Sequence, residues 1–263
     1  RDQMVLAITD LQNNIITTQR NINFILEDTD DCLNKICQAI ENFLTSCSID
    51  RSKLLGVGVC IAGRVNPETG RSYKYFTSNP QSLAEIIESY IGHPVLIEND
   101  TRAKCYGEYT KGCTGDEKNI IYLNLGRGVA IGIIVDGKIY YGRSGFAGEF
   151  GHTPFFENEI ICDCGKKGCL ETEVSGIAIE NKMIAQIQKG RNTILMEKYN
   201  HTGKIHITDI ISAARNDDNL SIELIEEAGE KIGKSIAFLI NIFNPEQVII
   251  GGYLAGAGDY LML

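Results

Sequence analysis

One short stretch of the chain combines a histidine with three closely spaced cysteines. His152 precedes the first cysteine by ten residues, and Cys162, Cys164 and Cys169 follow with one and four residues between them. Three thiolates and one imidazole make up the closed tetrahedral ligand set of a structural zinc site. The glycines between the second and third thiol supply the backbone freedom that a tight knuckle needs. We therefore predict a zinc-binding segment over residues 152–169, with a chance cluster or a disulfide as the alternatives.

Two acidic residues flank this segment closely. Glu149 lies three residues before His152, and Glu171 lies two residues after Cys169. A zinc ion bound between them would hold the backbone that carries both carboxylates in one rigid arrangement. The second ring nitrogen of His152 also needs a hydrogen-bond acceptor, which the sequence does not name.

Length and composition limit the classes of protein to which the chain can belong. Its 263 residues are enough for two packed domains, and it has no apolar run long enough to span a membrane. The nine cysteines, an odd number and mostly scattered, indicate a reducing compartment, so we expect a cytoplasmic protein. The net charge of −9, without a basic run, argues against nucleic-acid binding by this segment itself.

The two ends of the chain indicate a segment of a longer protein. The first residues enter a strand pattern without a starting methionine or a secretory signal, and the last residues stop where a helix begins. We therefore expect that a further domain can be attached outside the chain.

The first half of the chain alternates short β-branched runs with helical apolar patterns. This alternation predicts a sheet that contains parallel pairs and is covered by helices. The predicted strands are Met4–Thr9, Ile15–Arg20, Leu54–Ile61 and Val95–Glu98. The predicted helices are one capped by Asp30 and running to Ser46, then Ser82–Tyr90 and Thr101–Lys111.

Two polar residues stand where the last of these strands meets its helix. Asn99 and Asp100 follow the strand directly, and ligands of open α/β sheets gather at the carboxyl ends of the strands. Asp100 also lies beside a helix start, so it is either a helix cap or a functional carboxylate.

The second half opens with a predicted β-meander. Strands Asn119–Leu125 and Val129–Val135 are joined by the turn Gly126-Arg127-Gly128, and the hairpin signal Asp136-Gly137 leads into Lys138–Tyr141. A glycine turn of this kind can approach a phosphate through its backbone N–H groups, or it can be a simple hairpin turn.

Helices dominate the remainder. We predict helices over Val174–Lys189, over Asp209–Arg215 with Thr208 as the cap, and over Leu220–Phe243. The last helix carries an apolar stripe typical of a core or subunit interface. A polar connector spans His201–His206, and the strand Val248–Ile250 ends on Gly251-Gly252.

The run GFAGEFGH followed by CDCGKKGCLE resembles the ROK proteins, a family of repressors, open reading frames and sugar kinases. The resemblance covers essentially the whole chain. It implies an α/β fold of the actin-like ATPase (ribonuclease H-like) class, with two α/β domains and a cleft between them. The expected domains are residues 1–117, with the first strand truncated, and residues 118–263, with the C-terminal end truncated.

The resemblance also implies roles for particular residues. Asp100 matches the general base that takes a proton from the attacked sugar hydroxyl in the kinases. His152 is implied both as a zinc ligand and next to the sugar. The implied zinc ligands are His152, Cys162, Cys164 and Cys169, and the implied sugar ligands are Asn99, Asp100, Glu149, His152 and Glu171. In a kinase, Gly126, Arg127 and Gly128 would contact ATP phosphates, and Gly251 and Gly252 would contact adenosine.

Three departures separate this chain from the kinase pattern. Arg1-Asp2-Gln3 stands where the kinases have Gly-Thr-Lys in their phosphate loop, so a glycine and a cation are replaced and a carboxylate is added. The turn at Arg127 reads GRG instead of GTG, and the run from Asn99 reads NDTRA instead of NDANAA. The first and third departures look like the repressor members, such as xylose and N-acetylglucosamine repressors.

The leading hypothesis is the sugar-sensing and dimerisation body of a ROK-type transcriptional regulator with a structural zinc. It would bind a hexose or an amino sugar, form a homodimer or tetramer, and contact DNA only through a separate domain. The alternative is an ATP-dependent sugar kinase of the glucokinase or N-acetylhexosamine kinase type, with Mg²⁺ on the phosphates. A structural protein without a ligand is disfavoured, because the polar residues that the resemblance implies as ligands are present in this chain.

Overall fold

The computed structural model describes residues 3–47 and 49–262. Grouping residues by their contacts divides the chain into two compact units. The first unit runs to Ala103 and also contains Arg143–Phe146, and the second comprises Lys104–Gly142 and the residues from Ala147 onward. The sequence-based boundary between residues 117 and 118 stays a prediction. The altered phosphate-loop positions Arg1 and Asp2 lie outside the described residues.

The first unit contains small sheets and the helices packed on them. Strand β1 (Gln3–Thr9) pairs antiparallel with β2 (Ile15–Asn23), and β3 (Val57–Ile61) pairs parallel with β6 (Val95–Asn99). The short strands β4 (Val65–Asn66) and β5 (Arg71–Ser72) form an antiparallel pair. The helices are α1 (Asp30–Ser46) and α2 (Leu83–Ile91), and helix α3 (Asp100–Lys111) begins in this unit and belongs to the second unit from Lys104 onward.

Local capping sets the helix starts in this unit. Ser82 and Glu85 exchange hydrogen bonds as a capping box at the start of α2. The predicted cap of α1 at Asp30 is wrong, because the Thr29 hydroxyl accepts the hydrogen bond from the backbone N–H of Cys32 and Asp30 is the first helical residue. The predicted parallel pairing is confirmed, although β3 begins at Val57 and not at Leu54.

The second unit is built on one four-stranded sheet. Its strand order is β10 (Gln247–Gly251), β7 (Ile120–Leu125), β8 (Val129–Val135) and β9 (Lys138–Ile139). β10 is parallel to β7, and the other pairs are antiparallel. The helices are α4 (Glu171–Val174), α5 (Gly176–Gln188), α6 (Met196–Thr202), α7 (Ile207–Ala214), α8 (Asn219–Phe243) and α9 (Asp259–Met262).

The core of the second unit joins its sheet to its helices. Every residue of β7 is buried, and Ile121, Leu123 and Leu125 pack with apolar side chains of β8, α5, α7 and α8. Burial of this size is the main favourable term in folding, so the second unit provides a rigid support for the loops attached to β8.

Two helix predictions in this unit need correction, and so does the polar connector predicted over His201–His206, because His201 and Thr202 belong to helix α6. The single helix predicted over Val174–Lys189 is interrupted at Ser175, whose hydroxyl accepts from the N–H of Ala178 and caps α5. Helix α7 begins at Ile207, so the predicted cap Thr208 lies inside it. Helix α6 has no buried residue and therefore no apolar pattern by which the sequence could predict it.

Within the described residues, no helix is long and apolar enough to cross a membrane.

Candidate metal centre and adjacent polar groups

The four predicted zinc ligands lie together in the second unit. One ligand atom from each of His152, Cys162, Cys164 and Cys169 lies within 4.8 Å of all the others. The Sγ atoms of Cys164 and Cys169 are 3.6 Å apart, and Cys162 Sγ is 3.4 Å from His152 Nδ1. Tetrahedral zinc with ordinary bond lengths requires separations of roughly 3.8 and 3.6 Å for such pairs. The donor set and its spacing therefore fit a zinc ion.

Backbone hydrogen bonds in the knuckle bring these thiols together. The N–H of Gly165 donates to the Cys162 carbonyl and the N–H of Cys162 donates to the Lys166 carbonyl, which closes a tight turn. Gly165 and Gly168 have φ values of 83° and 72°, a backbone region that favours glycine. A side chain at Gly168 would also overlap the carbonyl oxygen of Phe156.

The thiols are suited to a metal and do not form a disulfide. All three cysteines are free, and 3.6 Å between two Sγ atoms is far beyond the roughly 2.05 Å of a disulfide bond. Burial raises the pKa of the Cys162 thiol to about 12. A divalent cation at the centre of the four ligands would deprotonate the thiols that coordinate it.

Both flanking acids approach the histidine of this cluster. His152 Nε2 lies 3.8 Å from a carboxylate oxygen of Glu149, and His152 Nδ1 lies 3.8 Å from a carboxylate oxygen of Glu171. Because Nδ1 faces the thiol of Cys162, the ring turns Nε2 towards Glu149. Glu149 is therefore the nearest acid for the second ring nitrogen, at a distance longer than a direct hydrogen bond.

Glu171 also contacts the glycine turn after β7. One of its carboxylate oxygens accepts from the N–H of Val129 at 2.8 Å, and a side chain at Gly128 would overlap that oxygen. The Gly126 carbonyl accepts from the N–H of Gly176 at the start of α5, at 2.9 Å. Packing therefore accounts for Gly128, whereas a side chain at Gly126 would meet only the side-chain oxygen of Asn124 at 3.9 Å. The phosphate contacts of Gly126, Arg127 and Gly128 stay a prediction.

The glycine pair after β10 has a similar structural requirement. Gly252 has a φ of 88°, and a side chain there would lie 2.5 Å from the Leu125 carbonyl oxygen. A side chain at Gly251 would overlap the hydroxyl of Tyr122. Close backbone packing therefore explains both glycines, and their adenosine contact stays a prediction.

Asn99 and Asp100 lie in the first unit, at the junction of β6 and α3. The side-chain oxygen of Asn99 accepts from the N–H groups of Thr101 and Arg102 at 3.0 Å each, which is the pattern of a helix cap. Its amide nitrogen donates to the Gly63 carbonyl at 2.9 Å. Asn99 is therefore the cap of α3, and Asp100 is the first residue of that helix.

The model of the ROK family matches residues 1–263. The chain belongs to the ROK family. Its α/β fold is the actin-like ATPase fold of that family, as predicted. It is similar to a ROK family transcriptional regulator that is a homologue of the E. coli MLC protein, with a TM-score of 0.83 and 31% identity over 98% of this chain and 65% of that one. It is equally similar in structure to a glucokinase from Streptomyces griseus in complex with glucose and AMPPNP, with a TM-score of 0.83 and 27% identity over 98% of this chain and 82% of that chain.

ROK relatives of both functional kinds are similar in sequence. A xylose repressor from Caldicellulosiruptor bescii is 32% identical over 90% of this chain and 59% of its own length. A glucokinase from Halalkalibacterium halodurans is 32% identical over 86% of this chain and 70% of its own length. The chain therefore spans less than two thirds of the regulators to which it is similar.

One buried arginine of this ROK chain was not singled out by the sequence. The side chain of Arg102 is 4% exposed, and its guanidinium donates to the Glu98 carboxylate at 2.7 Å. It also donates to the carbonyls of Gly145 at 2.6 Å and Val65 at 3.0 Å. The sequence did draw attention to this run, because it reads NDTRA where the kinases read NDANAA. It did not identify the acceptors of the arginine, because Val65 and Gly145 lie 37 and 43 residues away in the sequence.

A cluster of charged residues beside the metal centre was also missed. Glu173 in α4 accepts hydrogen bonds from Lys182 of α5 at 2.9 Å and from Lys231 of α8 at 2.6 Å. The side-chain amide of Asn158, in the zinc segment, donates to the other carboxylate oxygen of Glu173 at 2.6 Å. The cluster therefore connects two long helices to the loop that carries the thiols.

Proposed function

We propose that this chain is the sugar-sensing and dimerisation body of a ROK-type transcriptional regulator. It would bind a hexose or an amino sugar, and the proposed ligands are Asn99, Asp100, Glu149, His152 and Glu171. The observation that carries the proposal is the convergence of two carboxylates on one imidazole beside a set of four metal-ligand candidates.

This group of side chains has the chemistry that sugar recognition requires. Sugar hydroxyls donate hydrogen bonds, and ionised carboxylates accept them at both oxygens. Glu149 and His152 are partly exposed, with side-chain exposures of 36% and 26%, so both retain a face for a ligand. Hydrogen bonds donated by sugar hydroxyls to rigid, partly buried acceptors give specificity, because an analogue that lacks a hydroxyl leaves an acceptor unpaired.

Zinc has a structural role in this proposal. His152, Cys162, Cys164 and Cys169 supply four ligands, which leaves no open position for a catalytic water. When bound, the ion links the knuckle to the histidine. The chain's own residues then hold the imidazole with Nδ1 towards the thiols and Nε2 towards Glu149. Second-shell groups of this kind fix the orientation of a ligating histidine.

The regulator hypothesis rests on the start of the sequence. Arg1-Asp2-Gln3 stands where the kinases have Gly-Thr-Lys, so Gln3 takes the place of the lysine and Asp2 adds a carboxylate that disfavours an anionic phosphate. DNA would be bound through a separate domain, because this chain carries a net charge of −9 and no basic run. We propose that it acts in the cytoplasm as a homodimer or tetramer.

An ATP-dependent sugar kinase is the second candidate. The observation that favours it is that Asp100 directly follows the carboxyl end of β6, the edge at which ligands of α/β sheets gather, while Asn99 makes the cap hydrogen bonds of α3. In this candidate Asp100 is the general base, and Gly126, Arg127, Gly128, Gly251 and Gly252 line the site for ATP and Mg²⁺. The glucokinase relatives are consistent with it.

Sugar binding and ATP turnover together test both candidates. We would titrate the zinc-loaded chain with glucose, N-acetylglucosamine, N-acetylmannosamine and xylose, and follow the melting temperature. For a regulator we expect one sugar to raise the melting temperature of the wild type, a much smaller rise in Glu149→Gln, and no ATP turnover. Turnover that disappears in Asp100→Asn would establish the kinase. If none of the four sugars binds, the sugar-sensing proposal is refuted.

A further inference from the structure

The loop between the histidine and the first thiol of the metal centre lies against helix α8. It comprises residues 153–161, which we call the His–Cys loop. The ring of Phe155 in this loop packs edge-on against Phe150 and against Phe238 of α8, with ring centroids 5.4 and 5.3 Å apart. The loop and the helix belong to the same compact unit. Aromatic packing therefore docks one part of the loop on the helix.

Backbone pairing joins the His–Cys loop to the knuckle that carries the thiols. The N–H of Phe156 donates to the Gly168 carbonyl at 3.0 Å, and the N–H of Leu170 donates to the Thr153 carbonyl at 3.0 Å. Cys169 lies between these two paired knuckle residues. Loop and knuckle therefore form one substructure, and a contact that holds the loop also holds the thiols.

A chain of polar contacts holds this substructure at a second place. The side-chain amide of Asn158 in the loop donates to one carboxylate oxygen of Glu173 at 2.6 Å, and the Asn158 side-chain oxygen accepts from the N–H of Ile160 at 3.1 Å. The other carboxylate oxygen of Glu173 accepts from Lys231 of α8 at 2.6 Å and from Lys182 of α5 at 2.9 Å. Asn158, Glu173 and Lys231 therefore connect the loop to α8, and we call these three residues the clamp.

Lys231 also contacts the His–Cys loop directly. Its ammonium lies 5.5 Å from the centroid of the Phe156 ring, within the range of a cation–π interaction. The side chains of Lys231 and Glu173 are 22% and 11% exposed, so salt and solvent screen their ion pair only in part. Lys231 therefore holds both the loop and the carboxylate to which the loop is bonded.

The clamp contacts involve side chains other than the four metal-ligand candidates. The clamp can therefore order the His–Cys loop without the ion. Fixing the backbone of a free loop costs conformational entropy, and a metal that binds to an ordered loop does not have to offset that cost. Preorganisation of this kind raises affinity.

We propose that the clamp positions the ligands of the metal centre and so sets its affinity for zinc. Asn158, Glu173 and Lys231 hold the His–Cys loop on α8 before the metal binds. His152 and Cys162, at the two ends of the loop, then already lie near the other two thiols. The inference rests on the zinc centre of the proposed function, does not depend on the sugar, and names residues outside the ligand set.

The first test uses the full chain without metal. We would remove zinc with a chelator under reducing conditions and follow amide hydrogen exchange in peptides that cover residues 153–162. The N–H of Phe156 is hydrogen-bonded to the knuckle and reports on the loop. Lys231→Met is the test variant, because it keeps most of the apolar stem and leaves the backbone bonds of the loop in place. Lys198→Met is the matched control, because it removes a lysine–carboxylate pair that joins α6 to Asp209 of α7.

We expect protection from exchange in the loop of the metal-free wild type and of Lys198→Met, and clearly faster exchange in Lys231→Met. An unprotected loop in the metal-free wild type would overturn the proposal, and so would equal protection in Lys231→Met. If Lys231→Met does not fold, Asn158→Ala takes its place and is read at Phe156, because Ile160 loses its own acceptor in that variant. Wild-type protection at Phe156 then has the same meaning.

The second test separates positioning from simple stabilisation. We would measure zinc affinity by competition with a chromophoric chelator, and record the absorption spectrum with Co²⁺ in place of zinc. Lys231→Met should bind zinc at least about tenfold more weakly, as loss of a group that supports metal ligands does, and Lys198→Met should match the wild type. Removing a positive charge by itself favours a bound cation, so weaker binding would report the loop and not the charge.

At saturating Co²⁺ the three proteins should give the same spectrum, because the four ligands are unchanged. A different spectrum in Lys231→Met would contradict a role through the loop alone. Wild-type zinc affinity in Lys231→Met, or in Asn158→Ala where it replaces that variant, would refute the clamp and leave the zinc centre intact. If the wild type binds neither zinc nor Co²⁺, the zinc centre of the proposed function fails, and the clamp proposal fails with it.

Discussion

Replacing Glu173 by glutamine tests whether the charged cluster stabilises the zinc segment. The Glu173 side chain is 11% exposed and accepts from Lys182 and Lys231, whose side chains are 25% and 22% exposed. Glutamine keeps the shape and can still accept from Asn158, but it removes the charge from both lysine contacts. A hydrogen bond to a charged group contributes about 1.5–3 kcal/mol. Because both lysines retain Glu227 at 2.9 and 2.6 Å, we expect Glu173→Gln to lower the free energy of unfolding by about 2 kcal/mol at pH 7.

The effect should depend on pH with a defined sign. Burial works against the charged carboxylate, but the hydrogen bonds from Lys231 and Lys182 outweigh it and lower the pKa of Glu173 below 4.5. The folded state therefore binds the proton more weakly than the unfolded state. The stabilisation is present in full above the unfolded pKa and is lost as the pH falls through the folded pKa.

Urea unfolding of zinc-loaded protein would measure this difference at pH 7 and at several pH values below 4.5. The gap between wild type and Glu173→Gln should be full at pH 7 and narrow at acid pH, because protonation removes the charge of Glu173 in the wild type. Zinc loss at low pH affects both proteins alike. Glu230→Gln is the control, because the Glu230–Lys234 pair lies on an exposed face of α8 and its loss should not measurably change stability. An equal gap at all pH values, or none at pH 7, would refute the reasoning.

Three further predictions concern the knuckle and the helix cap. Cys164→Ser should lose bound zinc as measured by metal analysis, and a variant with full metal would contradict the four-ligand assignment. Gly168→Ala should destabilise the protein by clearly more than about 1 kcal/mol. Gly165→Ala should cost less stability than Gly168→Ala, because Gly165 has a similar φ but no atom within 4 Å of the added carbon. Equal melting temperatures of the two variants would contradict a role for the overlap at Gly168. Asn99→Ala should cost about 1–2 kcal/mol of stability through the lost cap of α3, and an unchanged denaturation midpoint would contradict that role.

The sequence predicted the features that depend on neighbouring residues. The four metal-ligand candidates fall within eighteen residues, so their spacing and the glycines between them were enough to predict that they come together. Helix α8 and the parallel pairing of β3 with β6 followed from local apolar patterns. The long motif of the zinc segment also predicted the family, and therefore the fold.

Only the tertiary structure decided which residues support the site. The acceptors of Arg102 lie 37 and 43 residues away, and Lys231 lies 58 residues from Glu173, so no local pattern identifies these partners. The choice of Asn99 over Asp100 as the cap depends on backbone geometry that both residue types could satisfy. Gly128 was predicted as a turn residue, and Gly148 and Gly151 were given no role of their own. In the structure, close approach to a carboxylate or a carbonyl oxygen is what excludes a side chain at all three positions. Sequence spacing determines contacts within a turn or a helix, while contacts between distant segments depend on the packing of the whole unit.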